Sequence, residues 1–186
     1  MVETTIPDLN KFYQQYPRIP VIITAQSKGK RNAMTVARHT VASTDPPYYG
    51  IGISSRSFTY QLIAESKEFG VNFLPYEEAQ LVDSLGSSKG MEVDKFQKFN
   101  VALAEPEKTS VPILEVAYAA YECKVLDDID YGSSHWIVGD VVVMHSFGEC
   151  MAPPKILDVN MVNPLLYLGE QRYLTVSKET LKHILR

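Results

Sequence analysis

The stretch that decides the fold is residues 114–147, LEVAYAAYECKVLDDIDYGSSHWIVGDVVVMHSF. Its two ends, Leu114 to Leu126 and His135 to Phe147, are rich in β-branched and aromatic residues and read as long strands. Between them Asp127 to Gly132 is a turn rich in Asp and Gly, so the two strands form a hairpin. A doubly wound parallel sheet would need longer helices alternating regularly with strands, and here the two longest strands are neighbours in sequence. The stretch therefore points to an antiparallel, mainly β architecture.

Upstream, Ile19 to Ala25 is a strand beside Pro17 and Pro20 that stops at the basic loop Gln26 to Arg31, and Thr35 to Ser43 resumes with Val36, His39 and Val41. Pro46-Pro47 blocks any helix and forces an extended path into the strand Tyr48 to Ser54. There Tyr49, Ile51 and Ile53 alternate with Tyr48, Gly50 and Gly52. The glycines leave one face nearly bare, as where another backbone or a flat ligand comes close. At Ser57 the period changes: Ser57 is a suitable N-cap, and Phe58, Leu62 and Ile63 share a helical face. Phe69 to Leu74 is extended again. Tyr76 to Leu85 has helical spacing and ends at Gly86, before a Ser-Ser-Lys-Gly loop, and the region to Asn100 is an excursion from the β framework. The tail carries a loop at Asn163-Pro164, an apolar aromatic piece from Leu165 to Tyr173, and a terminal helix with Leu181, Ile184 and Leu185 on one face. Five or six strands joined mostly by turns, with short inserted helices, predict a closed or nearly closed antiparallel barrel in a single domain, residues 1–186.

Composition narrows the function. Of the 186 residues, 45% are hydrophobic and 22% charged, the balance of a folded globular domain. A net charge of -4 leaves no cationic surplus for a phosphate backbone, so nucleic acid is not an expected partner. The apolar runs Val116 to Tyr121 and Val141 to Met144 fall far short of the ~20 residues that cross a bilayer, and Met1 to Asp8 does not read as a secretory signal. Cys123 and Cys150 lack the spacing of a zinc site or redox dithiol and are expected as buried thiols in a reducing, cytoplasmic setting.

Several motifs are absent or out of place. Neither G-x-x-x-x-G-K-[ST] nor H-E-x-x-H occurs. Gly86-Ser-Ser-Lys-Gly90 spells G-x-S-x-G but follows a helix instead of joining a strand to one, so it is read as a loop. Gly50-Ile-Gly52 is not completed to a dinucleotide fingerprint. The histidines His39, His135, His145 and His183 are scattered, and no metal site is expected. The chemistry-bearing residues instead gather at strand ends: Asn32-Ala33-Met34-Thr35 after the basic loop, Ser54-Ser55-Arg56-Ser57-Phe58-Thr59 at a strand-to-helix junction, and Asn72 within an apolar run. Helix-start N–H groups, hydroxyls and a guanidinium together suit a phosphate monoester. A basic turn, a bare strand face and a buried amide can border one elongated slot for a phosphate tail and a flat heteroaromatic ring.

The order of these pieces resembles the flavin reductase-like, FMN-binding split-barrel proteins. It includes Pro20-Val-Ile-Ile-Thr24, Asn32-Ala-Met-Thr35, Pro46-Pro47 leading into Gly50-Ile-Gly-Ile-Ser54, Ser57-Phe-Thr59 with Leu62-Ile63, and Phe69-Gly-Val-Asn-Phe-Leu74. Asp94-Lys-Phe96, Pro112-Ile-Leu114, Glu122-Cys123, His135 with Gly139-Asp-Val141, and Pro164-Leu-Leu-Tyr167 before Tyr173 continue it. The resemblance implies a six-stranded antiparallel split barrel of Greek-key type that forms a homodimer, binds FMN without a covalent link near the subunit interface, and takes electrons from NADH or NADPH. By position it assigns Asn32, Ala33, Met34 and Thr35 to the flavin ring and ribityl chain, largely through backbone groups. Ser54, Arg56, Ser57 and Thr59 would hold the phosphate, Asn72 would lie along the flavin, and His135, expected on an edge strand, would lie on the nicotinamide side. Asp127, Asp128 and Asp130 depart from that pattern where a reductase admits an anionic dinucleotide. The expected function is an NAD(P)H-dependent FMN oxidoreductase, with a flavoredoxin-like electron carrier, a ferric reductase or a flavin-free barrel as alternatives.

Overall fold

The computed structural model describes residues 17–146, 150–152, 156–182 and 184. The reading of Met1 to Asp8 lies outside the described residues. Strands β1 (Val21–Ser27) and β2 (Lys30–Val36) form a hairpin closed by Lys28 and Gly29, both at positive φ. β3 (His39–Thr44) pairs with β4 (Pro47–Ser54), so the segment Thr35 to Ser43 divides between two strands. Helix α1 (Phe58–Ser66) starts at the expected cap: Ser57 Oγ accepts a hydrogen bond from the Tyr60 N–H. β5 (Glu68–Phe73) follows, then α2 (Ala79–Ser87), the single turn α3 (Lys95–Lys98), and the two-residue strands β6 (Leu103–Ala104) and β7 (Ile113–Leu114). The long hairpin is β8 (Ala119–Asp130) with β9 (Ser134–Ser146). Short pairs β10 (Met151–Ala152) with β11 (Ile156–Leu157) and β12 (Leu166–Gly169) with β13 (Arg172–Leu174) complete the chain.

Seven strands form the main sheet, in the order β2-β1-β5-β8-β9-β4-β3. β2 and β3 are its opposite edges, yet only Ala37 and Arg38 separate them. Three Cα steps reach at most about 11 Å, so the sheet must curl until its edges meet. Since β2 and β3 are not paired with each other, the curl leaves a seam and the barrel is split. The inner face holds Val21, Ile23, Ile51, Ile53, Phe69, Val71 and Ile137, and α1 contributes Leu62 and Ile63. The other face of β1 and β2 is covered by the excursion, where Ile22 and Ala33 meet Val82, Leu85 and Phe96. That is why Val21, Ile22 and Ile23 are all buried instead of alternating.

The structure corrects four expectations. The acidic stretch Asp127 to Asp130 belongs to β8, and the turn is residues 131–133, because pairing with β9 continues to Asp130 opposite His135. β9 lies between β8 and β4, so His135 is not on an edge strand. The bare glycine face is covered by the chain's own flat side chain: a Cβ at Gly50 would lie 2.6 Å from the Trp136 ring, and one at Gly52 3.3 Å from it. Among the described residues the tail forms one 3-10 turn, Lys178–Thr180, where a helix was expected, and Leu181 and Ile184 are 73% and 80% exposed; Leu185 lies outside the described residues. Both cysteines are free and buried. Among the described residues no three His, Cys, Asp or Glu side chains converge as metal ligands, and no helix is long and apolar enough to cross a membrane.

Candidate functional site

The start of α1, the side of β2 and the far end of the excursion enclose a cleft of about 310 Å³. Five of the singled-out residues line it: Asn32, Met34, Arg56, Ser57 and Thr59. Ser57 caps α1, and the Phe58 and Thr59 N–H groups that open the helix have no partner among the described residues. Arg56 is exposed at the rim and forms no ion pair among the described residues. Thr59 is fully buried, its hydroxyl accepting a hydrogen bond from Asn32 Nδ2 at 2.9 Å. Asn32 is also buried, and its Oδ1 has no hydrogen-bond partner. A buried carbonyl oxygen left in this state costs about 1–3 kcal/mol, a penalty that a ligand donor would remove.

The remaining assigned residues lie elsewhere. Ser54 closes the turn before α1 by accepting the Arg56 N–H. Ala33 is buried against the excursion, and Thr35 donates to the Val82 carbonyl at 2.5 Å. Asn72 is fully buried with both ends engaged: Nδ2 donates to Ile22 O and Thr24 Oγ1, and Oδ1 accepts from the Leu114 N–H at 2.9 Å. It ties β1, β5 and β7 together and does not line the cleft.

Sequence reasoning missed the cleft's second wall. Lys95, only 3% exposed, lines it and donates from Nζ to Ala33 O at 2.8 Å and Leu85 O at 2.6 Å. Burial beside neutral carbonyls lowers its pKa to about 8. The excursion supplies Gly86, Ser88 and Gly90. A Cβ at Gly90 would sit 2.2 Å from Asn32 Oδ1, so only glycine lets the loop close on that amide. Two glycines flanking a Ser-Ser-Lys loop, with a lysine set between Asp94 and Phe96, are the signals available in the sequence.

His135 lies apart, in a shallow depression of about 450 Å³ with Arg38, Tyr131 and Trp136. Its Nδ1 is 2.7 Å from Asp128 Oδ1 and 3.0 Å from the Tyr60 hydroxyl, which also donates to Asp128 Oδ2 at 3.2 Å. A proton on Nδ1 would donate to that carboxylate. Partial burial and the nearby Asp128 charge raise the Tyr60 pKa. The aspartate that seemed to oppose an anionic dinucleotide is thus engaged in holding His135.

The curled, split antiparallel sheet is the fold of the flavin reductase split barrels. Residues 13–175 match the family model described as flavin reductase like domain, and the chain belongs to that family. An FMN-binding protein of Thermus thermophilus, solved with 1-cyclohex-2-enone, is 30% identical and superposes with a TM-score of 0.86 over 98% of this chain and 99% of its own. Flavoredoxin of Methanosarcina acetivorans is 25% identical, with a TM-score of 0.83 over 96% of this chain and 93% of its own. NADPH-flavin oxidoreductase of Streptomyces viridifaciens is 25% identical over 71% of this chain and 68% of its own length. The chain spans 59% and 64% of the length of two other curated relatives, from Aeropyrum pernix and Archaeoglobus fulgidus.

Proposed function

We propose that the protein is an FMN-binding oxidoreductase that takes electrons from NADH or NADPH and passes them to a second acceptor, acting as a homodimer in the cytoplasm. The observation that carries this reading is that a buried, unpartnered Asn32 Oδ1 and the buried cation Lys95 line one cleft with the start of α1. The residues present fit the group. Arg56, the Ser57 hydroxyl and the N–H groups of Phe58 and Thr59 would hold the phosphate. Asn32 Oδ1 would accept from a ring or ribityl donor, and Lys95, with two of its three donors on carbonyls, keeps one for an anionic edge. Bound flavin would supply the two-electron chemistry. His135 would meet the nicotinamide half of the donor. Anaerobic addition of NADH or NADPH to the FMN-loaded protein tests the reading: bleaching of the flavin absorbance is expected, and persistence of the yellow form with both donors would sink it.

A second reading, a flavoredoxin-like carrier reduced by a partner protein, is favoured by the acidic end of β8, where Asp127 and Asp130 are exposed. Rapid steady-state turnover of NAD(P)H with free flavin would exclude it.

A further inference from the structure

The end of the β8–β9 hairpin faces solvent: Leu126, Asp127, Ile129, Asp130 and Tyr131 are all exposed. There, three polar side chains from three elements close on one another. The His135 and Asp128 side chains are only 16% and 20% exposed, and Tyr60 of α1 is half-buried against them.

Strand register explains the meeting. Asp130 lies directly opposite His135, and Asp128, two residues earlier on β8, is the diagonal neighbour. Asp130 Oδ1 accepts from the Gly132 N–H, and the imidazole takes the diagonal partner. His135 Nδ1 is engaged by both Asp128 and the Tyr60 hydroxyl, which itself bonds the second oxygen of the carboxylate. The Tyr60 ring covers one face of the imidazole, with centroids 4.2 Å apart and planes inclined by 34°. One nitrogen and one face of His135 are therefore fixed, and Nε2 has no partner among the described residues. Tyr60 also ties the cluster to the cleft, because its N–H donates to Ser57 Oγ at the start of α1.

We infer that Asp128 and Tyr60 are positioning residues, which hold the His135 ring so that Nε2 meets the nicotinamide carboxamide of the electron donor. This rests on the reading that His135 faces that half of the donor. The carboxamide carries both a donor and an acceptor, so Nε2 can bond it in either protonation state. A ring already pinned has little freedom left to lose on binding, and preorganisation of this kind is expressed as affinity.

The chain's single tryptophan, Trp136, lines the same depression and reports its occupancy. The test is quenching of its fluorescence in FMN-loaded protein by NAD+, by NADP+ and by ADP-ribose, which lacks the nicotinamide. Asp128→Ala is expected to weaken the binding of NAD+ or NADP+ about three- to fivefold, close to the effect of His135→Ala, and to leave ADP-ribose unchanged. Tyr60→Phe, which keeps the stacked ring, is expected to cost about twofold. Neither substitution is expected to change anything further once His135 is alanine. In anaerobic bleaching by NADH or NADPH, Asp128→Ala should raise the half-saturating concentration more than it lowers the limiting rate. A purely structural tie between α1 and the hairpin would give effects that persist in His135→Ala, and these would overturn the inference. So would an equal change for ADP-ribose, which would assign the effect to the charge of Asp128, or wild-type affinity in Asp128→Ala. Bleaching of the wild type by neither donor would instead remove the oxidoreductase reading, a result distinct from bleaching that is indifferent to Asp128.

Discussion

Two buried asparagines occupy the strands on either side of β1, Asn32 on β2 and Asn72 on β5, and they differ in whether their hydrogen bonds are complete. Asn72 belongs to a closed region. Its amide is satisfied from β1 and β7, and nearby on β8 the buried Glu122 carboxylate accepts from the N–H groups of Glu107, Lys108 and Thr109, the Thr109 hydroxyl and His145. Burial alone would push the Glu122 pKa up, but these donors outweigh it and hold it at about 2. Asn32 belongs to an open region, where one oxygen has no partner and a buried lysine has only carbonyls. Asn32 and Lys95 are buried, as are Asn72 and Glu122, so burial of these side chains does not separate the two regions. Completed hydrogen bonding marks the one that holds the fold, and incomplete hydrogen bonding marks the one that waits for a ligand.

The contrast is broken most severely from the closed side. Glu122→Ala removes the acceptor of three N–H groups and of the Thr109 hydroxyl. It is expected to destabilise the protein by about 3–5 kcal/mol in a urea melt while leaving flavin affinity in the surviving folded fraction unchanged. A flavin affinity that falls in step with stability would show that the two regions are not separate. Arg56→Ala acts in the opposite sense. Weakening of FMN binding by about five- to a hundredfold is expected, with stability changed by less than about 0.5 kcal/mol, because Arg56 is exposed and forms no ion pair among the described residues.

Lys95 sharpens the comparison through pH. Its folded pKa of about 8 lies below that of an unfolded lysine, so the flavin-free protein gains stability as pH rises from about 8 toward about 10.4, where only the unfolded chain still holds the proton. An anionic ligand favours the protonated form. FMN affinity is therefore expected to be full below pH 8 and to fall above it, by at most about tenfold per pH unit, with the slope removed in Lys95→Met. The other ionisable side chains lining the cleft, Arg56, Lys89 and Glu92, are exposed. The smallest effect is expected at His135, outside both regions. His135→Ala should raise the KM for NADH or NADPH a few-fold, about 1 kcal/mol, without changing FMN affinity.

Much of the framework was legible in the sequence because it rests on local rules. The alternation in β4, the Ser57 cap and the hairpin of β8 and β9 depend on neighbouring residues, and each is present. What stayed hidden depends on distant partners. Asn72 reads as a buried amide in sequence, but the groups that satisfy it come from Ile22 and Leu114, 50 and 42 positions away. Lys95 reads as a surface lysine until α3 docks on β2 and draws its amine to the Ala33 carbonyl. The glycine face of β4, read as a place for another backbone or a flat ligand, is filled by the chain's own Trp136. The register that brings Trp136 opposite Gly52 is fixed only when the sheet assembles. Of the strand-end cluster, the residues that reached the cleft are those on its side of β2 and at the start of α1. Thr35, one residue beyond Met34, points to the other face, as strand period requires.

The central claim is that the cleft at Asn32 and Lys95 is completed by a flavin. Flavin-free protein titrated with FMN at pH 7, in wild type and in Gly90→Val, tests it most directly. The account predicts saturable quenching of FMN fluorescence in the wild type and at least about tenfold weaker binding in the variant, whose new side chain would occupy the space beside Asn32 Oδ1. Unchanged fluorescence in the wild type, or equal binding by both proteins, would contradict it.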